Sequence, residues 1–325
     1  MLVHRISTSL ACFAVLACTA LTAVAQAVPY PQKAIRLVVP FPAGGPTDIL
    51  ARVIGQKLAD RTGQAVFVDN KPGANTIIGA DVVAKAAPDG YTLLLAIDST
   101  LVMNQSLYSK LPYDPVKDFE PIAKVAISPL IVVTSSAGPQ TMKALLSQAK
   151  AQPDNVSFGY GTFTAQLGGE MIKNSLGLSI LSVAYKGSAG NVQGLLSNDV
   201  IYIIDGVSTA LPHIQSGKFR ALANLGSKRI PVLPDLPTVA NEAGLPGFDV
   251  AVWMGLVAPR GTPEPITKML AEQVARILEL PDVKDKLDAV GLLPDVIPPA
   301  AFRNFLQAES VKWNKVITQA GIKVQ

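Results

Sequence analysis

The sequence predicts an α/β protein with two lobes, on three observations. Short apolar runs alternate with helical patterns in two successive series, glycine-rich turns stand between several of the strands and the helices that follow, and no repeat, low-complexity tract or flexible linker separates the series. At 325 residues the chain is too long for one small core and suits two domains of ordinary size. Hydrophobic residues make up 49% and charged residues 16%, a composition that fills a core and excludes disorder beyond the ends. The net charge of +4 is spread without a basic block, and Lys228-Arg229 is too little for a nucleic-acid surface.

The N-terminus is read first. After MLVHR no charged residue occurs until Lys33, and residues 6–25 are small and apolar. The run closes on Ala23-Val24-Ala25 and Ala25-Gln26-Ala27, both of the A-x-A form cut by signal peptidase, so residues 1–27 are expected to be a signal peptide that directs the chain to the periplasm. A membrane anchor competes with this reading, as does a lipoprotein signal at VLAC, residues 15–18, where Leu16 is an unusual residue. Both cysteines, Cys12 and Cys18, fall in this segment, so the cleaved chain holds no thiol; its one histidine is His213.

Next come the elements. Residues 35–41, 65–69 and 91–96 read as strands, with helical periodicity from Ile49 to Leu58 and over 76–86 between them. After LPYDPVKDFEPIAKV the pattern restarts with strands at 130–134, 156–160, 181–184, 201–205 and 221–225 and helices at 141–151, 166–176, 190–197 and 210–216. A proline-rich passage, 231–246, leads to the apolar run 250–258, and helices at 263–278, 282–290 and 300–320 close the chain. Alternation of this kind implies parallel strands with crossover helices, in lobes joined by strands rather than by a tether.

Three strand-to-helix turns carry the functional signal. PFPAGGPTD, residues 40–48, leaves the peptide groups of Gly44 and Gly45 unshielded at a helix N-terminus, where free N–H groups and the helix dipole favour an anion. It lacks both the spacing and the lysine of a nucleotide-triphosphate loop, and no G-x-G-x-x-G is present. A purely structural reading competes: a tight turn with Thr47 capping the helix and Asp48 pairing with Arg52. SFGYGTFTAQLGGEM, residues 157–171, repeats the geometry, with Gly159, Gly161, Thr162 and Thr164 as donors. AYKGSAGN, residues 184–191, adds Lys186, Gly187 and Ser188. Together the three point to ligand capture in a cleft. In IIDGVST, residues 203–209, Asp205 ends a strand and either accepts from a ligand or serves as a cap or interlobe contact.

Catalysis and metal binding find little support. No H-E-x-x-H, C-x-x-C, G-x-S-x-G or clustered metal set occurs, His213 has no paired acid or nucleophile, and aromatic content is 6% with no basic interleaving for stacked bases. An exported enzyme on carboxylate substrates would have to use Asp205 or His213 as its base.

The blocks YPQKAIRLVVPFPAGGPTDILAR, NKPGANTIIGADVVAKAAPDGYTLL, LYSKLPYDPVKDFEPIA, YKGSAG, ALPHIQSGKFRALA, LPDLPTVANEAGLPGF and GLVAPRGTP resemble, in order and over nearly the whole cleaved chain, the Bug (TctC-like) substrate-binding family of tripartite tricarboxylate transporters. The resemblance implies a type II periplasmic-binding-protein fold, with residues 28–127 and 250–325 in one lobe and 128–249 in the other. It implies a monomeric, non-catalytic receptor without cofactor, which grips a ligand carboxylate between two loops and hands it to membrane permease subunits; a sensory receptor feeding a membrane kinase is the alternative. The pocket positions it implies are Phe41, Ala43, Gly44, Gly45 and Thr47 in the first loop, Gly159, Gly161, Thr162, Thr164 and Gln166 in the second, and Ser99, Lys186, Gly187, Ser188 and Asp205. Two departures stand out: Gly206 where many members have asparagine, and Gln166 where histidine is common. The shorter side chain at 206 is expected to admit a bulkier or less polar carboxylate, an aromatic one included.

Overall fold

The computed structural model describes residues 30–322, so the expected signal peptide lies outside the described residues. The sheet and the cavity lie within residues 33–325. The first half runs β1 (Ile35–Val39), α1 (Pro46–Thr62), β2 (Val66–Asn70), α2 (Ile77–Ala84) and β3 (Thr92–Ile97), then a π-type turn (Ser99–Met103) and the short α3 (Asn104–Leu107). β4 (Phe119–Ser135) leads into α4 (Met142–Ala151), β5 (Ser157–Tyr160), α5 (Phe163–Ser175), β6 (Leu181–Ala184), α6 (Gly187–Leu196), β7 (Tyr202–Gly206), α7 (Val207–Gln215), β8 (Phe219–Asn224) and α8 (Val239–Glu242). β9 (Ala251–Pro259), α9 (Glu264–Leu278), α10 (Pro281–Asp288), β10 (Leu293–Ile297) and α11 (Pro299–Ala320) complete the chain.

The strand order is β2-β1-β3-β9-β4-β7-β5-β6, with β8 and β10 also bonded to β4. The expected parallel pairing holds among β1, β2 and β3 and among β5, β6 and β7. Between these groups the pairing is antiparallel: β9 joins β3 to β4, and β4 joins β9 to β7. β4 is therefore the shared member of two half-sheets. Its residues 119–129 lie against β9, whereas 130–134 lie against β7. The sequence pattern marks only the second part, because Pro121 and Pro129 read as strand breakers. In the structure the register shifts just after Pro121 and again past Lys124, which accommodates a residue without an N–H donor. β10, with Pro294 in its run, escapes the pattern for the same reason.

Burial along the central strands is continuous rather than alternating. Leu93, Leu94, Leu95 and Ala96 of β3 are sequestered on both faces, as are Ile131, Val132 and Val133 of β4. α11 is anchored by Phe302, Trp313 and Ile317, all buried, and packs on β4, the π-type turn and α5. Glu309 accepts from both Trp253 Nε1 (3.0 Å) and Trp313 Nε1 (2.9 Å), so the indole donors buried by this packing are satisfied. The parallel arrangement places the C-terminal ends of β1, β5 and β7, each followed by a helix, around one cleft.

Candidate ligand-binding site

The first turn, between β1 and α1, is shaped by one carboxylate. Asp48 Oδ2 accepts from the Gly44 N–H and from Arg52 Nε, both at 2.9 Å, and its Oδ1 accepts from Asn70 Nδ2 at 3.0 Å. Asn70 also donates to the Phe41 carbonyl at 3.0 Å, tying the turn to the end of β2. Burial works against the charge on Asp48, but the bonds from Arg52, Gly44 and Asn70 and the guanidinium charge outweigh it, so its pKa is lowered. The Asp48–Arg52 pair read from the sequence is thus present. Thr47 does not cap: the N-cap is Gly45, without a side-chain bond, and Pro46 opens the helix, where its missing N–H costs nothing. Nor is the Gly44 N–H free for a ligand, since Asp48 takes it. Gly44 is glycine because its φ is +87°, and Gly45, at φ −79° and ψ 170°, is the unshielded member of the pair.

The turns of the second half converge on another carboxylate. Asp205, buried at the end of β7, accepts through Oδ1 from Ser188 Oγ (2.6 Å), the Gly206 N–H (2.7 Å) and Thr209 Oγ1 (2.9 Å), and through Oδ2 from Asn191 Nδ2 (2.8 Å). Burial pushes its pKa up, and the four donors hold it partly back. With its oxygens engaged in this way, Asp205 fastens α6 and α7 to β7. Gly161 is pressed onto the α6 turn: a Cβ there would lie 2.5 Å from the Gly187 carbonyl carbon and 2.7 Å from the Ser188 nitrogen. Thr162 caps α5 by accepting from the Ala165 N–H at 3.3 Å.

These turns enclose a cavity of about 590 Å³. The N-cap residues of four helices line it: Gly45 of α1, Thr162 of α5, Lys186 of α6 and Gly206 of α7. Of the residues expected from the sequence, Phe41, Ala43, Gly44, Gly45, Thr47, Gly161, Thr162, Lys186, Gly187, Ser188 and Asp205 are brought together on its wall. Ser99, Gly159, Thr164 and Gln166 are not on that wall. Ser99 is buried in the π-type turn, and Gly159 is backed by Asn191 and Tyr185. Thr164 is buried and donates to Asp98 Oδ2 at 2.9 Å, and Gln166 is in the second turn of α5, its N–H on the Thr162 carbonyl at 3.1 Å.

Sequence reasoning missed a second group of lining residues. Ser128, Ser208 and Thr209 add hydroxyls, while Ile97, Leu130, Val192, Leu196, Ile204, Val252 and Met254 make an apolar wall, with His213 beside it. Two of these were accessible from spacing: Ser188, Val192 and Leu196 recur at i+4 on α6, so one face of that helix runs from hydroxyl to hydrocarbon as it leaves its N-terminus. His213 has its ring 4.8 Å from that of Phe219 and also faces the cavity. Lys186 and Asp205 are the formally charged lining residues among those described. Peptide dipoles and one lysine at one end, hydrocarbon at the other, can hold a small anion with an apolar body. Among the described residues no group of three or more His, Cys, Asp or Glu is placed to hold a metal ion.

The profile of the tripartite tricarboxylate transporter family receptor matches residues 50–322. The protein BugT of Bordetella pertussis is 37% identical over 91% of this chain and 92% of its own length. A solved R. palustris protein with adipate superposes with a TM-score of 0.85 at 35% identity, covering 91% of this chain and 99% of that one. MatC from Rhodopseudomonas palustris with bound malate gives 0.77 at 34% identity over 89% and 100%, and the periplasmic binding protein BugD gives 0.80 at 34% identity over 91% and 100%. The fold these structures share is that of periplasmic binding proteins, and they are binding proteins rather than enzymes.

Proposed function

The chain belongs to the tripartite tricarboxylate transporter receptor family, and from that premise we propose that it is a periplasmic solute-binding protein that captures a small organic carboxylate and presents it to membrane permease subunits. The observation that carries the reading is the convergence of four helix N-termini on one cavity. First-turn N–H groups lack intrahelical partners and sit at the positive ends of the helix dipoles, so a carboxylate there gains bonds without the ordering cost of long side chains. The seat is formed by Gly45 and Thr47 on one side and Gly161, Thr162 and Ser188 on the other, with Gly187, its N–H on the Tyr185 carbonyl at 2.9 Å, shaping the turn and Lys186 adding the formal positive charge. Gln166, its N–H on the Thr162 carbonyl at 3.1 Å, supports the second turn from behind.

Residues 28–127 and 250–325 form one lobe and 128–249 the other, with β4 as a crossing strand; closure about it expels water and strengthens the dipole–anion contacts. The apolar wall argues for a ligand with one carboxylate and a hydrocarbon body, more than for a tricarboxylate. Export rests on the residue 1–27 pattern, and no helix among the described residues is long and apolar enough to cross a membrane. Calorimetry on the mature chain with benzoate, hexanoate, adipate, malate, citrate and aspartate tests the reading. Binding of at least one acid, strongest for those with apolar bodies, is expected. Gly45→Val, whose backbone angles suit a β-branched residue and whose Cβ meets only the Pro42 carbonyl at 3.8 Å, should abolish it with the circular dichroism unchanged. No binding, or full binding by the variant, would refute the proposal.

A further inference from the structure

We infer that Gly206 opens a subsite in the cavity for a neutral oxygen substituent of the ligand, a hydroxyl or carbonyl carried in addition to its carboxylate. The inference rests on the carboxylate capture proposed above and extends it to the kind of acid preferred. Gly206 has φ −68° and ψ 144°, an extended conformation open to any residue, so the backbone does not require glycine there. What glycine leaves is space. A Cβ at this position would lie 3.3 Å from Ser128 Oγ, 3.7 Å from Ser208 Oγ and 4.0 Å from Thr209 Oγ1, so hydroxyls from β4 and the first turn of α7 surround the opening. All four residues line the cavity.

The hydroxyls are unequally occupied. Thr209 Oγ1 is committed to Asp205 Oδ1 and to the Gly206 carbonyl, each at 2.9 Å. Ser208 Oγ is enclosed with no hydrogen-bond partner among the described residues. An unpaired hydroxyl in such surroundings is costly; closed off as the side chain stands, it would be satisfied by turning about χ1 toward a ligand oxygen in the space beside Gly206. Serine hydroxyls both donate and accept, so they suit a hydroxyl or a carbonyl. A second carboxylate fits badly: Asp205 is the adjacent residue, and the lysine on the cavity wall, Lys186, caps a different helix.

The test is calorimetry on the mature chain with hexanoate, its 2-, 3- and 4-hydroxy derivatives, and adipate. At least one hydroxy acid should bind about tenfold more tightly than hexanoate, the worth of one well-made hydrogen bond, and adipate should show no such gain. Ser208→Ala, and independently Gly206→Ala, which fills the space with a methyl group, should shrink that ratio to less than about threefold, with folding checked by thermal melts. A ratio near one for every hydroxy acid, a tenfold gain for adipate alone, or a ratio that survives in both variants would overturn the subsite. Failure of all five acids to bind would instead overturn the carboxylate reading beneath it.

Discussion

Asp48 and Asp205 each gather a glycine-bearing turn at the mouth of a helix, yet they do so by opposite means. Asp48 relies on charge: its partner Arg52 is 55% exposed, and its pKa is lowered. Asp205 relies on neutral donors in the interior, four of them, and burial raises its pKa. The difference teaches how each side of the cavity keeps its shape. A half-solvated ion pair is replaceable by water, so the α1 turn should survive its loss in weakened form. A desolvated network strengthens each of its bonds but leaves every donor stranded if the acceptor goes, so the α6 and α7 turns should fail together.

The largest effect that could break this contrast belongs to Asp205→Ala. It would leave Ser188 Oγ, Asn191 Nδ2, Thr209 Oγ1 and the Gly206 N–H without their acceptor, at a cost of about 3–5 kcal/mol in urea denaturation and with ligand binding lost. Asp205→Asn keeps one acceptor oxygen and should recover part of the stability. A midpoint for the alanine variant equal to wild type would mean that water replaces the carboxylate and the network is not special.

Asp48→Ala should cost less, about 1 kcal/mol, because its ion pair is screened on the Arg52 side. Carboxylate affinity should nevertheless fall, since Gly44 and Asn70 lose the acceptor that sets the turn. The pH dependence sharpens the point. A lowered folded-state pKa makes the Asp48 contribution fully present above the ordinary carboxylate range and lost only as pH falls through that lowered value. The wild-type and variant stability curves should therefore run parallel near neutrality and converge in acid.

The same chemistry explains what was legible in the sequence. The apolar periodicity that marks helices begins at Ile49, Gln166, Gly190 and Ala210, yet the helices begin at Pro46, Phe163, Gly187 and Val207, three residues earlier in each case. Their first turns face the cavity or prepare its turns and are rich in glycine, serine and threonine, so they carry little hydrophobic stripe to detect. The glycine turns were legible because strand, glycine and helix in succession have few other meanings. The apolar wall was not, because Leu130, Ile204 and Met254 look like any buried strand residue until the strands are placed around the cleft. The Gly44 N–H was misassigned because Asp48 occupies it from four residues away through the side chain, a contact that spacing alone reads as a helix-surface pair with Arg52.

A third aspartate, Asp98, ties the end of β3 to α5 and extends the comparison to a pH-dependent effect. It follows β3, accepts from the Ser99 N–H (2.7 Å) and from Thr164 Oγ1 of α5 (2.9 Å), and is fully buried with these two donors among the described residues. Burial pushes its pKa up to about 7; the Thr164 and Ser99 bonds hold it back, Glu309 raises it further and Lys312 lowers it. A folded-state value above the unfolded one means that the folded chain keeps a proton the unfolded chain has released, across the window from about pH 4 to about pH 7. Stability should therefore decline as pH rises through that window and level off above it. Asp98→Asn mimics the protonated form and can still accept from Ser99 while donating to Thr164, so it should remove the slope and be the more stable protein at about pH 8, with little difference at about pH 5. Urea denaturation of both proteins across this range checks it: a wild-type curve as flat as the variant's would mean that Asp98 is ionised throughout and that its two hydrogen bonds outweigh its burial.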